Sequence, residues 1–122
     1  MLAPFTGQQY ISLETFKKNG EGVRTPVWFV LEHGVFYVYT EADSWKVKRI
    51  RNNPRVRMAA CTVRGTVTGP WIEGTASLIE GEERRTADQL LNRKYLLKRL
   101  FNWLARLRGR PRSMIRIVPA PG

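Results

Sequence analysis

The sequence predicts a mainly β fold with flanking helices, a small six-stranded antiparallel β-barrel. Three observations carry this reading. Six short segments are rich in β-branched and aromatic residues or alternate in polarity. Several of them are joined by turn-forming runs too short for a crossover, which makes the joined strands antiparallel. Helical periodicity appears in only two stretches. With 122 residues, 43% hydrophobic and 25% charged, the chain can build one core, and residues 1–122 are read as a single domain.

The first strand is Tyr10-Ile11-Ser12-Leu13-Glu14-Thr15-Phe16, with Ile11 and Leu13 on one face and Ser12 and Glu14 on the other. Lys17 to Gly22 follows as a turn whose glycines and asparagine tolerate positive φ. Val23 to Leu31 is the second strand. Pro26 inside it cannot donate to a ladder, so this stretch belongs at an edge, at a bulge or against a ligand. His33-Gly34 turns the chain into a third strand, Val35 to Thr40. There the period changes: Thr40-Glu41-Ala42-Asp43 fits a capping box, and Val47 and Ile50 continue an apolar stripe at helical spacing until Asn52-Asn53-Pro54. A helix of about three turns is expected. Arg55 to Thr62 and Trp71 to Ile79 are the next strands, punctuated by Gly65 and Gly69-Pro70. Glu82 to Leu107 is helical in composition, with Leu90, Leu91, Leu97, Leu100, Phe101 and Leu104 on or near one face, and Arg93-Lys94 marks a point where it can break in two. Arg108 to Arg112 is a basic loop, and Met114 to Val118 is the last strand. An open barrel this small leaves apolar surface for a second copy to cover, so a homodimer is expected.

Lys and Arg number 21 against 10 Asp and Glu, a formal charge of +11 and a pI near 10.7, which points to a polyanionic partner or cofactor. No window reaches the ~18 apolar residues of a membrane span, and Met1-Leu2-Ala3-Pro4 lacks the features of a signal peptide, so a soluble cytoplasmic protein is expected. Cys61 is the single cysteine and His33 the single histidine, which excludes an internal disulfide framework and a Cys/His zinc site. A Ser-His-Asp mechanism would have to use His33, which reads instead as a solvated turn histidine.

The charge is uneven. Residues 82–122 hold 11 basic and 3 acidic side chains, against 10 and 7 in residues 1–81. On the short helix, Lys48, Arg49 and Arg51 read as a solvated surface. Lys46 differs, because it falls in the first turn, where free N–H groups and the helix dipole favour an anion and a lysine is unfavourable without one. Thr40 and Ser44 add hydroxyls at the same end. The C-terminal cluster, with Tyr95, Phe101 and Trp103 among its arginines and lysines, suits nucleic acid by charge and stacking. Its aromatics, however, fall among leucines at helical spacing, as core residues do, and no named nucleic-acid motif is present, so a nucleic-acid partner is not expected.

The order of Gly22-Val23-Arg24-Thr25-Pro26-Val27-Trp28-Phe29, Val38-Tyr39-Thr40, Ser44-Trp45-Lys46-Val47-Lys48-Arg49-Ile50-Arg51-Asn52-Asn53-Pro54 and Pro70-Trp71-Ile72-Glu73-Gly74 resembles the pyridoxamine-phosphate-oxidase-like, FMN-binding split-barrel family. Within it the chain is most similar to the branch of enzymes that depend on coenzyme F-420, a deazaflavin. The resemblance spans roughly residues 5–119. It implies a homodimeric split barrel with a cofactor at each subunit interface, and an oxidoreductase that passes hydride between that cofactor and a small unsaturated molecule. By position it assigns Thr40, Ser44 and Lys46, with Trp45 between them, to the cofactor phosphate. It places Arg24, Thr25, Pro26 and Val27 along the ring. Trp71 would pack on the ring, close the pocket from the other subunit, or lie in the core. The cofactor is F-420 or FMN, and the strong positive charge suits the longer, more anionic F-420. Heme would lack an axial ligand unless His33 served. No catalytic residue stands out; Tyr39, Arg24 or water could deliver a proton. The alternatives are a flavin carrier without turnover and, more remotely, a basic nucleic-acid binder.

Overall fold

The structure is a computed structural model, and it describes residues 2–95 and 112–121. A 3-10 turn at Ala3–Phe5 precedes β1 (Tyr10–Phe16), β2 (Gly22–Glu32), β3 (Val35–Glu41), α1 (Trp45–Asn52), β4 (Arg55–Cys61), β5 (Ile72–Ile79), α2 (Gly81–Lys94) and β6 (Arg112–Pro119). The six strands close into a barrel in the order β1-β2-β3-β6-β5-β4, and every neighbouring pair is antiparallel.

The turns follow their chemistry. Gly20 takes φ 89° between β1 and β2, and the Asn19 side chain accepts the Glu21 N–H at 2.9 Å. Between β2 and β3, His33 (φ 51°) and Gly34 (φ 77°) are both left-handed, the conformation that matches the twist of a two-residue hairpin. The His33 side chain is 91% exposed, in keeping with a turn histidine.

Inside the barrel, Ile11, Leu13, Val27, Phe29, Phe36, Val38, Val56, Met58, Ile115 and Ile117 form one buried cluster, which Phe5 completes. The Phe5 ring stands edge-on to Phe36 at 5.0 Å and to Phe29 at 6.5 Å. Outside, α2 covers β2, β5 and β6 by packing Ala87, Leu91 and the following Tyr95 against Val30, Ile79 and Met114. The β6 segment is therefore buried on both faces, which explains a run of consecutive apolar residues in place of an alternation.

Two local expectations need correction. Thr40 does not cap α1. It is still paired with Ser113 in the β3–β6 ladder, so the chain reaches the helix only after a turn. Ser44 is the cap, its Oγ accepting the Val47 N–H, and α1 runs eight residues, short of three turns. β5 begins at Ile72 and leaves Trp71 outside the strand. The second helical stretch ends at Lys94, with Tyr95 in extended backbone, at the point where the Arg93-Lys94 interruption of the apolar stripe allows a break; Leu97 to Leu107 and the loop from Arg108 to Pro111 lie outside the described residues.

The barrel is split along one seam. β2 pairs with β3 only over Phe29–Glu32 and Val35–Val38. Before Phe29, β2 has β1 alone as its neighbour, and after Val38, β3 has β6 alone. Pro26 lies on this uncovered half of β2, where a missing N–H costs no inter-strand bond to β3.

Candidate functional site

The diverging edges of β2 and β3 open a cleft of about 480 Å³. Pro26, Val27 and Trp28 form one wall, and Tyr39, Thr40 and Glu41 the other. Ser44 and Lys46 close one end, and Tyr10 and Arg112 complete the lining.

At the α1 end, Thr40 Oγ1 and Ser44 Oγ lie 3.4 Å apart. Lys46 sits in the first turn of α1, half-buried, on the positive side of the helix dipole. Burial above all, and then the nearby Arg49, push its ammonium pKa below the usual 10.5, while Glu41 opposes the shift. Its charge is thus poorly accommodated in the chain alone. Arg112 enters from β6, paired in register with Glu41. Its guanidinium lies 5.6 Å from the Tyr39 ring centre, and its Nε is buried without a hydrogen-bond partner. The Tyr39 phenol is pushed above its ordinary pKa of 10.0 by burial first and then by Asp88, against Arg112 and Arg84, so it carries its proton throughout the neutral range.

The wall at Trp28 is braced from behind. Tyr95 stacks on the Trp28 indole, with centroids 4.9 Å apart and planes at 7°. The Tyr95 hydroxyl lies 2.7 Å from the Phe29 carbonyl and 2.8 Å from the Gln9 carbonyl, and accepts the Phe29 N–H at 3.1 Å. Lys94 donates to the same Phe29 carbonyl at 2.9 Å. The end of α2 thereby ties down the β2 edge that borders the cleft.

Of the positions the sequence singled out, the structure brings Pro26, Val27, Thr40, Ser44 and Lys46 into this cleft. The other four lie elsewhere. Arg24 points outward with its cross-strand partner Glu14, which is 5% exposed. Glu14 binds Arg24 Nε and Arg57 Nη1, each at 3.0 Å, and the two guanidiniums lie 4.6 and 4.9 Å from the Trp71 ring centre. Thr25 pairs with the core residue Leu13, and its hydroxyl is buried and unpartnered. Trp45 lines a second cleft, with Phe16, Lys48 and Arg49. Sequence reasoning did not place Tyr10, Trp28 or Arg112 at the site. Arg112 was visible only as one member of a basic cluster, because the register that sets it beside Glu41 is a long-range property. Among the described residues, no helix is long and apolar enough to cross a membrane, and no three His, Cys, Asp or Glu side chains are grouped to hold a metal ion.

A six-stranded antiparallel barrel, split along one seam with a polar, cation-bearing cleft in the gap, defines the class of the protein. The model of the pyridoxamine 5′-phosphate oxidase family matches residues 1–120, and the chain belongs to that family. No curated protein matches it significantly. Among solved structures, the heme storage protein HutZ of Vibrio cholerae is 14% identical with a TM-score of 0.75, over 95% of this chain and 84% of that one. General Stress Protein 26 of Bacillus anthracis is 26% identical with a TM-score of 0.67, over 96% and 84%. An FAD-binding protein of Mesorhizobium loti is 17% identical with a TM-score of 0.67, over 98% and 84%.

Proposed function

We propose that the cleft between β2 and β3 binds the phosphate-bearing end of a flavin-type cofactor, and that the chain is an oxidoreductase using coenzyme F-420 in preference to FMN. The observation that carries this reading is the meeting in one cleft of Lys46, Thr40, Ser44 and Arg112, two cationic and two hydroxyl side chains. These groups fit a phosphate: two cationic donors and two hydroxyl donors, one cation held at a helix N-terminus. The cleft volume lies within the usual range of roughly 300–1,000 Å³ for such ligands. When bound, the cofactor supplies hydride transfer to or from a small unsaturated organic substrate.

The residues of this chain bind, orient and supply a proton. Lys46 and Arg112 hold the phosphate, and the free edge of β2 at Pro26 and Val27 offers its backbone to the ring. Arg24 is held by Glu14 and Trp71 outside the cleft, which leaves the phenols of Tyr10 and Tyr39, both in the lining, or water to supply the proton. The preference for F-420 rests on charge, since a chain at +11 gains most from a ligand with several anionic groups. The seam opens to the surface, and Val63, Val67 and Val118 are exposed. A second copy would cover such apolar area, so the functional unit in this reading is a homodimer.

Titration of the purified protein with F-420 and with FMN, followed by cofactor fluorescence, tests the reading. F-420 is expected to bind in the micromolar range or tighter and FMN less tightly, with a dimeric mass by light scattering. Failure of both cofactors to bind would refute it. Binding without oxidation of reduced F-420 by any unsaturated carbonyl or nitro compound would reduce the protein to a carrier.

A further inference from the structure

We infer that a second cleft, lined by another face of α1, binds a small aromatic anion: a planar ring bearing a phosphate or a carboxylate. The cleft holds about 470 Å³ between the end of β1 and α1, and is lined by Phe16, Lys17, Lys18, Trp45, Lys48, Arg49 and Asn52. Consecutive residues of the first helical turn serve different sites, Trp45 this one and Lys46 the first, so the two can be filled independently.

Two features set this surface apart from an ordinary solvated helix face. Trp45 is 68% exposed, the highest value among the exposed large hydrophobic residues, and contributes nothing to the barrel core. Tryptophan is enriched at binding surfaces, where its ring packs on a partner while its N–H stays wet. The second feature is the charge around it. Four cations line the cleft and no carboxylate does. Glu21 reaches Lys17 at 3.6 Å from outside the lining. Lys18 makes no hydrogen bond or ion pair with any described residue. The Lys48 ammonium sits 4.4 Å from the Trp45 ring centre, and Arg49 is held in place by the Thr15 hydroxyl at 3.3 Å. Like charges gathered in one concavity repel, and an anion among them relieves that repulsion. The ring of such a ligand would lie against Trp45 and Phe16, and its acid group among Lys18, Lys48 and Arg49. A neutral ring would gain only the first contact, and a small inorganic anion only the second.

The test uses the indole N–H resonance of Trp45, assigned by its loss in Trp45→Phe, while the full chain is titrated with 5′-AMP, adenosine, 2-naphthoate and 2-naphthylmethanol. The anionic member of at least one pair is expected to shift that resonance saturably and to bind at least tenfold more tightly than its neutral counterpart. The pair that responds identifies the acid as phosphate or carboxylate. Lys18→Gln and Lys48→Gln should each weaken binding threefold or more, and Lys46→Ala should leave it unchanged. Equal binding of acid and neutral analogue in both pairs, or a Trp45 resonance that does not move, overturns the inference. Loss of the response in Lys46→Ala also overturns it, by placing the anion in the first cleft. F-420 affinity, measured on the same variants, separates this result from the fate of the cofactor reading: Lys18→Gln should leave it within twofold.

Discussion

Replacing Lys46 by alanine tests the phosphate site most directly. In the free chain, Lys46 is half-buried and sits at the positive end of α1. Burial and Arg49 both disfavour its charge. A phosphate reverses each of these effects by adding a charge-assisted hydrogen bond, which contributes about 1.5–3 kcal/mol net. Lys46→Ala should therefore weaken F-420 or FMN binding by roughly ten- to a hundredfold. Unfolding in urea should hardly change, because the lysine does not stabilise the first turn. Arg51, exposed in the last turn of the same helix, is the matched control. Arg51→Ala alters the general field alone, so its effect should be severalfold at most and should fade with salt. Riboflavin, which has no phosphate, should bind the wild type and Lys46→Ala alike. The pH dependence has a definite sign. Only the protonated amine binds the phosphate well, and its pKa lies below 10.5, so affinity should fall as pH rises through that lowered value and the Lys46→Ala profile should lack the step. Fluorescence titration across pH measures all of this. Equal losses in Lys46→Ala and Arg51→Ala would show that only net charge matters, and would refute the assignment.

Other predictions concern the frame around the cleft. Tyr95→Phe strands the Phe29 N–H, which the hydroxyl accepts at 3.1 Å, and removes the donor to the Gln9 and Phe29 carbonyls; it should cost about 1–3 kcal/mol in urea unfolding and weaken cofactor binding through Trp28. Gly74→Ala would set a methyl 2.8 Å from Ile117 Cγ2 and 3.1 Å from the Val118 carbonyl, so about 1–3 kcal/mol of destabilisation is expected, and no change in urea midpoint would contradict the packing described. Burial lowers the Lys94 pKa from 10.5 to about 8. The unfolded chain then binds more protons than the folded one between pH 8 and 10.5, and stability should rise with pH across that window. Lys94→Met should flatten this rise, and an unchanged slope would refute the burial.

The fold was legible wherever local chemistry decides structure. The β1–β2 and β2–β3 turns carry residues that tolerate positive φ, and the structure uses Gly20, His33 and Gly34 in that way. Alternation at Ile11 and Leu13 marks an inward face, and both are fully buried. The errors arise where a long-range partner overrides a local signal. Thr40 and Asp43 make an acceptable capping box, but the β3–β6 ladder holds Thr40 against Ser113, and Ser44 takes the cap. Likewise, Met114 and Ile115 are both buried because α2 roofs β6, which no periodicity within β6 reveals.

The first cleft divides in the same way. Thr40, Ser44 and Lys46 lie within seven positions of one another in the chain, on the end of a strand and the start of the helix after it, so short-range geometry converges them and the sequence reveals them. Pro26 betrays the open seam, because a proline in a strand asks for an edge. Arg112 reaches the same cleft only through the register that pairs it with Glu41, a pairing set by six cross-strand partners between β3 and β6. Arg24 shows the opposite case. Its place in the quoted strand suggests a ring contact, and period two sets it on the same face as the cleft residues Pro26 and Trp28, yet it lies nearer the β1–β2 turn, where Glu14 awaits it directly across the ladder. A buried carboxylate with two arginines on it is poorly replaced by water, and breaking one partner is expensive. That network fixes Arg24 away from the seam, and the cations left to meet an anion in the cleft lining are Lys46 and Arg112.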